Sequence, residues 1–228
     1  MNRTKNSISQ YLLGLTNISS PIKQTCEKYL KYCCIINSDL SQDIKGNIIP
    51  YFEKIRIGHN PAPHWDSYII SLYKGVNNNW FDKFKEKMKI DIPNIYKEFL
   101  LDINGCKLFD LFADDMILYG LVPENYHPTD YFLDGKAIKR PKYSGWDLEK
   151  ANTEWKIEYN FDGFLIGHRC YNWEQEYFGF FIKNNKIFSV NRYDKTIVKY
   201  NNFSEFLSEE IKLAEKYYFS KCKEEDLC

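Results

Sequence analysis

The chain carries no net charge: 31 Lys and Arg stand against 31 Asp and Glu over 228 residues. That balance argues against a nucleic-acid coat or a polybasic membrane binder, which need an excess of positive charge. No apolar run approaches the ~20 residues that a membrane-spanning helix requires. The opening Met1-Asn-Arg-Thr-Lys-Asn6 leads into a mixed segment without the apolar stretch of a secretory signal. The expectation is a soluble, cytoplasmic protein. No C-x-x-C pair occurs, and the cysteine count is odd. Cys26, Cys33, Cys34, Cys106, Cys170, Cys222 and Cys228 therefore read as reduced thiols acting as small hydrophobes, without a disulfide framework or zinc site. Internal repeats are absent. So are the glycine-rich phosphate loops G-x-x-x-x-G-K-[ST] and G-x-G-x-x-G.

What is present is enough to build a core: 44% of residues are hydrophobic and 17% aromatic. The first third reads as helical. Ile8, Tyr11, Leu12 and Leu15 recur at helical spacing behind a Ser7 cap, and Pro21 opens a second helix through Ile22, Cys26, Tyr29 and Leu30. Gly58 to Pro63 is loop-like. Trp65, Ile69, Leu72 and Val76 predict a further helix. Asn79 caps a helix burying Trp80, Phe84 and Met88. Pro93 then starts one with Tyr96, Phe99, Leu100 and Ile103 inward, closed by a left-handed stop at Asn104-Gly105.

Beyond Gly105 the period falls from 3.6 to 2. Strands are expected near 116–119, 156–159, 163–167, 177–182, 186–190 and 196–200, with a tight turn at Asn184-Asn185. Residues 123–146 read as loop. Asn202 to Glu205 resembles a capping box opening a last helix with Phe203, Leu207, Ile211, Ala214 and Tyr218 inward. Helices, an antiparallel meander and a closing helix make the class α+β.

The stretch Ile90–Gly105 resembles the signature of the SUKH superfamily (SMI1/KNR4-like proteins): Pro93 at the helix start, Tyr96, Phe99 and Leu100, then Asn104-Gly105. Tyr119-Gly120, Ile166-Gly167 and Phe203-Ser-Glu-Phe206-Leu207 follow in the family's order, so the likeness runs from about Asn79 to Tyr218. Cys106 departs from the pattern, which often has a second glycine there. The first 76 residues have no counterpart in it. The resemblance implies helices flanking a largely antiparallel sheet, with a helical N-terminal extension at 1–76 and a SUKH domain with a short tail at 77–228. It also implies a protein that is not an enzyme and needs no cofactor. Bacterial members of the family are immunity proteins that bind a cognate toxin; eukaryotic relatives are regulatory scaffolds. Pro93, Asn104, Gly105 and Gly120 are backbone-geometry residues, so recognition falls to the rest of the surface.

Candidate chemistry is thin. His59 and His64 share a loop near Asp66 without metal-ligand spacing. His168-Arg169-Cys170 lacks a nearby activating base and reads as an exposed turn. Glu174 and Glu176 share a face if extended, and with His168 they define the alternative of a metal-dependent hydrolase. Lys83, Lys85, Lys87 and Lys89 spread around a helix and form no nucleic-acid stripe. Charge distribution says more. Between Asp102 and Phe178 there are 14 acidic and 8 basic residues, interleaved with Trp146, Trp155, Tyr171, Trp173 and Tyr177. These aromatics either anchor a partner or belong to the core, where Trp155 is expected. An acidic, aromatic-bearing surface suits a basic toxin domain, and Asp147, Glu154, Glu158, Trp173, Glu174 and Glu176 are its expected members.

Overall fold

The computed structural model describes residues 2–32, 34–42, 48–59, 68–111, 114–122, 131–133, 136–138, 147–172 and 176–224. In chain order these form α1 (Asn2–Leu13), α2 (Ser20–Tyr29), β1 (Cys34–Gln42), β2 (Ile48–His59), β3 (Tyr68–Lys74), α3 (Asn78–Met88) and α4 (Asn94–Asp102). There follow β4 (Ile103–Leu111), β5 (Asp114–Leu118), β6 (Tyr131–Leu133), β7 (Lys136–Ile138), α5 (Leu148–Thr153) and a 3-10 helix at Trp155–Tyr159. The chain ends with β8 (Phe164–Asn172), β9 (Glu176–Lys183), β10 (Lys186–Asn191), β11 (Ile197–Tyr200) and α6 (Phe203–Glu224). Nine strands make one antiparallel sheet in the order β1-β2-β3-β4-β5-β8-β9-β10-β11, and β6 pairs only with β7. The class is α+β, as expected. No helix among the described residues is long and apolar enough to cross a membrane.

Alternation along the strands sends side chains to two faces. On one face α6 lays Phe206 against Phe180 and Tyr200, and Tyr218 against Phe109; Tyr29 of α2 meets the same Phe109 edge-on. On the other face, Tyr159 packs on Phe181, Phe161 on Phe181 and Phe188, and Trp155 on Tyr119. All five α6 positions expected inward are buried. The forward half of its capping box is present, with Asn202 Oδ1 accepting from Glu205 N (2.9 Å), while Glu205 Oε2 reaches one residue further back and accepts from Asn201 N (2.8 Å). Asn184 and Asn185, at φ 51° and 57°, turn β9 into β10.

Several elements differ from the sequence expectation. Ser7 is not a cap; α1 starts at Asn2 and runs through it. Residues 68–74 are a strand, not part of a helix. Among the described residues the extension is helical in α1, a 3-10 turn at Asn17–Ser19 and α2, and the three strands that follow continue the sheet through β3 and β4. The physical reason is burial on both faces. Ile69, Ile70, Leu72 and Tyr73 are all buried, and such a run satisfies helical spacing by coincidence. Asn77 rather than Asn79 caps α3, accepting from Asn79 N (3.1 Å). Residues 155–159 are 3-10 rather than strand, because Trp155 and Tyr159 turn to the sheet while Ile157 faces solvent.

The signature residues lock the middle of the sheet. The α4 helix ends without a left-handed cap, since Ile103 is extended (φ −139°) and leads straight into β4. The left-handed residue is Gly105 (φ +85°), inside the strand. A Cβ there would lie 2.8 Å from Gly120 N, and one on Gly120 would lie 2.2 Å from Asn104 O. Neither position admits a side chain. Across this contact Asn104 clamps Leu121, donating from Nδ2 to its carbonyl (2.9 Å) and accepting from its N–H at Oδ1 (2.8 Å). Gly167 meets the same constraint, with its missing Cβ 2.2 Å from Ile117 O. The Tyr96 hydroxyl reaches both Tyr119 O (2.5 Å) and Ile166 O (2.9 Å) from a fully buried position. Replacing Tyr96 with Phe should cost about 1–3 kcal/mol, since Tyr119 O loses the phenol donor and Ile166 O is left with the Tyr119 N–H (2.8 Å). Urea denaturation measures this, and an unmoved midpoint would show that the hydroxyl is dispensable.

Candidate partner-binding surface

Asp147 ends the link from β5 by capping α5: its Oδ1 accepts from Glu149 N (2.9 Å) and Lys150 N (3.2 Å). It is nearly buried, and burial raises its carboxyl above the ordinary range. This expected surface residue is therefore committed to holding a helix. Asn152 then fastens α5 to β8, exchanging hydrogen bonds with Leu165 N (2.9 Å) and Leu165 O (2.8 Å).

The 3-10 helix that follows carries Glu154 and Glu158 on the surface. The turn between β10 and β11 is tied to it. Arg192 pairs with Glu158 (2.5 Å), and Lys195 Nζ donates to Glu158 O (2.8 Å) and Arg192 O (2.5 Å). Within that turn, Asn191 Oδ1 accepts from Tyr193 N (2.7 Å) and Asp194 Oδ1 from Thr196 N (2.8 Å). Two short irregular pieces thus form one rigid surface. Ile157 (72% exposed) and Tyr193 (46% exposed) are its large exposed groups among the described residues, Tyr193 with the Arg192 guanidinium over its ring.

Glu176 lies elsewhere. It sits 3.9 Å from Arg169 and accepts a hydrogen bond from Tyr217 of α6, on the helix-covered face. His168 points the other way, stacked on Tyr177 (5.2 Å between centroids). Trp173 and Glu174 are outside the described residues, as are Trp146, His64 and His127. Because His168 and Glu176 occupy opposite faces, the three-residue hydrolase constellation does not assemble. No metal-holding group of three His, Cys, Asp or Glu occurs among the described residues.

The family match spans residues 75–209 and is to the SMI1 / KNR4 family (SUKH-1). The chain belongs to this family. Comparison with curated proteins and with solved structures gives no match. The SMI1/KNR4 region starts at Gly75, the residue after β3, and reaches into α6; α1, α2 and β1 to β3 precede it.

Within the SMI1/KNR4 sheet, His168-Arg169-Cys170 is a buried strand segment, not an exposed turn. His168 is held at Nδ1, 2.5 Å from the Tyr119 hydroxyl, while Nε2 lies 3.3 Å from Asp115 Oδ1, which accepts no hydrogen bond among the described residues. Lys107 completes the chain, 2.9 Å from Asp115 and 3.0 Å from Asp110. A register shift between Leu108 and Leu111 includes Phe109 at φ 56°, beside the Lys107–Asp110 pair. Sequence spacing gives no sign of this network, because register alone brings β4, β5 and β8 together. With Lys107 and the imidazole placed against the buried Asp115 carboxylate, the network's role is to offset buried charge. On the opposite face Arg169 Nε donates to Glu210 (2.6 Å), and the Tyr200 hydroxyl donates to the other carboxylate oxygen (2.5 Å).

Two predictions follow from these buried charges. Truncating Arg169 alone to Met strands Glu210 and should cost about 3–5 kcal/mol. The double variant Arg169→Met with Glu210→Leu should recover much of that loss in chemical denaturation. For Asp115, burial pushes the carboxyl up, but Lys107 and His168 outweigh it and hold the group below the ordinary carboxylate range. A depressed acid stabilises the fold above its unfolded pKa, and that contribution disappears as pH falls through the folded value. Between about pH 4 and pH 2, urea midpoints should therefore fall more steeply for the native chain than for Asp115→Asn. Parallel slopes would remove Asp115 from the account.

Proposed function

We propose that this SMI1/KNR4-family protein is a cytoplasmic immunity protein, non-catalytic, that neutralises a cognate toxin by binding it and covering its active site or substrate groove. The observation that carries this reading is Ile157, 72% exposed between two surface glutamates on a rigidly tied 3-10 helix. A projecting apolar side chain flanked by Glu154 and Glu158, with Arg192 paired to Glu158, has the form of a binding hot spot: the apolar group anchors a partner, and Glu154 favours a basic one. Glu154 and Ile157 are the working residues of the proposal, together with Tyr193 on the adjoining turn. Glu158 contributes by orienting Arg192 and Lys195.

The test begins with affinity purification of the tagged protein from its native cell. The expected result is a near-stoichiometric polypeptide with a toxic, basic domain. Glu154→Lys combined with Ile157→Asp should then weaken its affinity by about 10–100-fold and flatten the salt dependence of association. Glu158 is left untouched, so the Arg192 pair keeps the surface folded. Undiminished affinity would remove this face from the interface. A housekeeping or host regulatory protein in place of a toxin would favour the scaffold role of the eukaryotic relatives.

A further inference from the structure

Among the described residues, β11 is the terminal strand at one edge of the nine-stranded sheet and pairs only with β10. The ladder fixes which backbone groups are used. Asn191 N donates to Thr196 O (2.9 Å), one step beyond the Val190–Ile197 pair. Antiparallel pairs alternate between bonded and non-bonded. Val198 and Tyr200 therefore exchange hydrogen bonds with β10, whereas Ile197 and Lys199 aim their N–H and C=O groups at the open edge. The side chains are equally unspent. Ile197 is 52% exposed and Val198 42%, on opposite faces of the strand. Lys186 and Lys199, both exposed, belong to no ion pair among the described residues. The edge thus offers two outward peptide groups, apolar contacts on both faces and uncompensated positive charge.

We propose that β11 is a strand-addition site for an extended, acidic segment of a partner protein whose alternate residues are apolar. Main-chain bonds to Ile197 and Lys199 supply the affinity of such a complex. Carboxylates beside Lys186 and Lys199 supply its selectivity, since an unpaired edge lysine disfavours a basic strand and admits an acidic one. This site is distinct from the 3-10 surface and does not require the partner to be a toxin.

The probes are two fluorescein-labelled heptapeptides, one alternating Glu with Val and one alternating Lys with Val. They are read by anisotropy and by amide hydrogen exchange on the full chain. The acidic peptide should bind and slow exchange at Ile197 and Lys199 by about ten-fold or more, while the basic peptide should not bind. Lys199→Pro deletes the outward N–H together with the ammonium and no bond to β10, so affinity for the acidic peptide should fall by about ten-fold or more with Tm unchanged, and further than in Lys199→Gln, which deletes the charge alone. Lys199→Glu, which keeps the backbone donor, should reverse the preference between peptides. Equal binding of both peptides, or no protection of those two amides, overturns the proposal. Protection that rises with protein concentration in the absence of peptide also overturns it, by assigning the edge to a second copy of the chain.

Discussion

One phenol proton at the centre of the molecule is shared between two strands that are far apart in sequence. Tyr96 projects from α4 and reaches the carbonyls of Tyr119, just past β5, and Ile166, within β8. The peptide chain between those carbonyls carries the β6–β7 hairpin, α5 and the 3-10 helix. The sheet stays continuous across this insertion because Gly167 and Gly120 have no Cβ, so backbones approach where side chains would collide. Buried carbonyls need donors; from the helix side the tyrosine supplies one to Tyr119 O and adds a second at Ile166 O, which also accepts from Tyr119 N (2.8 Å). Everything outside this junction inherits its register. A one-residue slip in β8 would turn His168 and Arg169 to the wrong faces and separate each from its charged partner.

This junction accounts for what was legible in the sequence. Pro93, Tyr96, Asn104, Gly105, Gly120 and Gly167 are sterically or geometrically compelled, and compelled residues recur as a readable pattern. Readability still did not extend to role. Asn104-Gly105 looks like a helix stop, yet Asn104 is a clamp on Leu121, and the glycine serves a close contact inside a strand. The short elements were opaque for a different reason. β3 is buried on both faces, so its apolar residues follow no period of two. Trp155, Ile157 and Tyr159 alternate as a strand would, but only the first and last pack on the sheet.

Charge counted along the chain also misleads when taken as surface. The acidic excess between Asp102 and Phe178 includes several groups that serve the interior. Asp102 accepts from Thr16 N (2.9 Å) and Thr16 Oγ1 (2.6 Å), Asp110 and Asp115 bracket Lys107, and Asp147 caps α5. Each is acidic for a local reason, either a cation or an orphan amide. What remains outward on the 3-10 helix is a smaller and sharper feature than the count suggested. Ile157, which the strand assignment left without a distinct role, is its most exposed apolar group.

The N-terminal strands give the sheet an asymmetry with consequences for binding. Within the family-matched region β4 would be an edge, with its N–H and C=O groups unpaired on one side. β3 pairs along that side, with Leu72 beside Cys106 and Ile70 beside Leu108. The residues preceding the match thus convert one edge into sheet interior and move the open edge outward to β1. Among the described residues no strand is added beyond β11; the chain turns at once into α6, whose first residues fold back over Phe180 and Tyr200. The helix covers one face of that hairpin but donates nothing to its edge. Of the edges that the family-matched region would present alone, the chain has closed one with its own strands, and among the described residues the other keeps peptide groups facing outward.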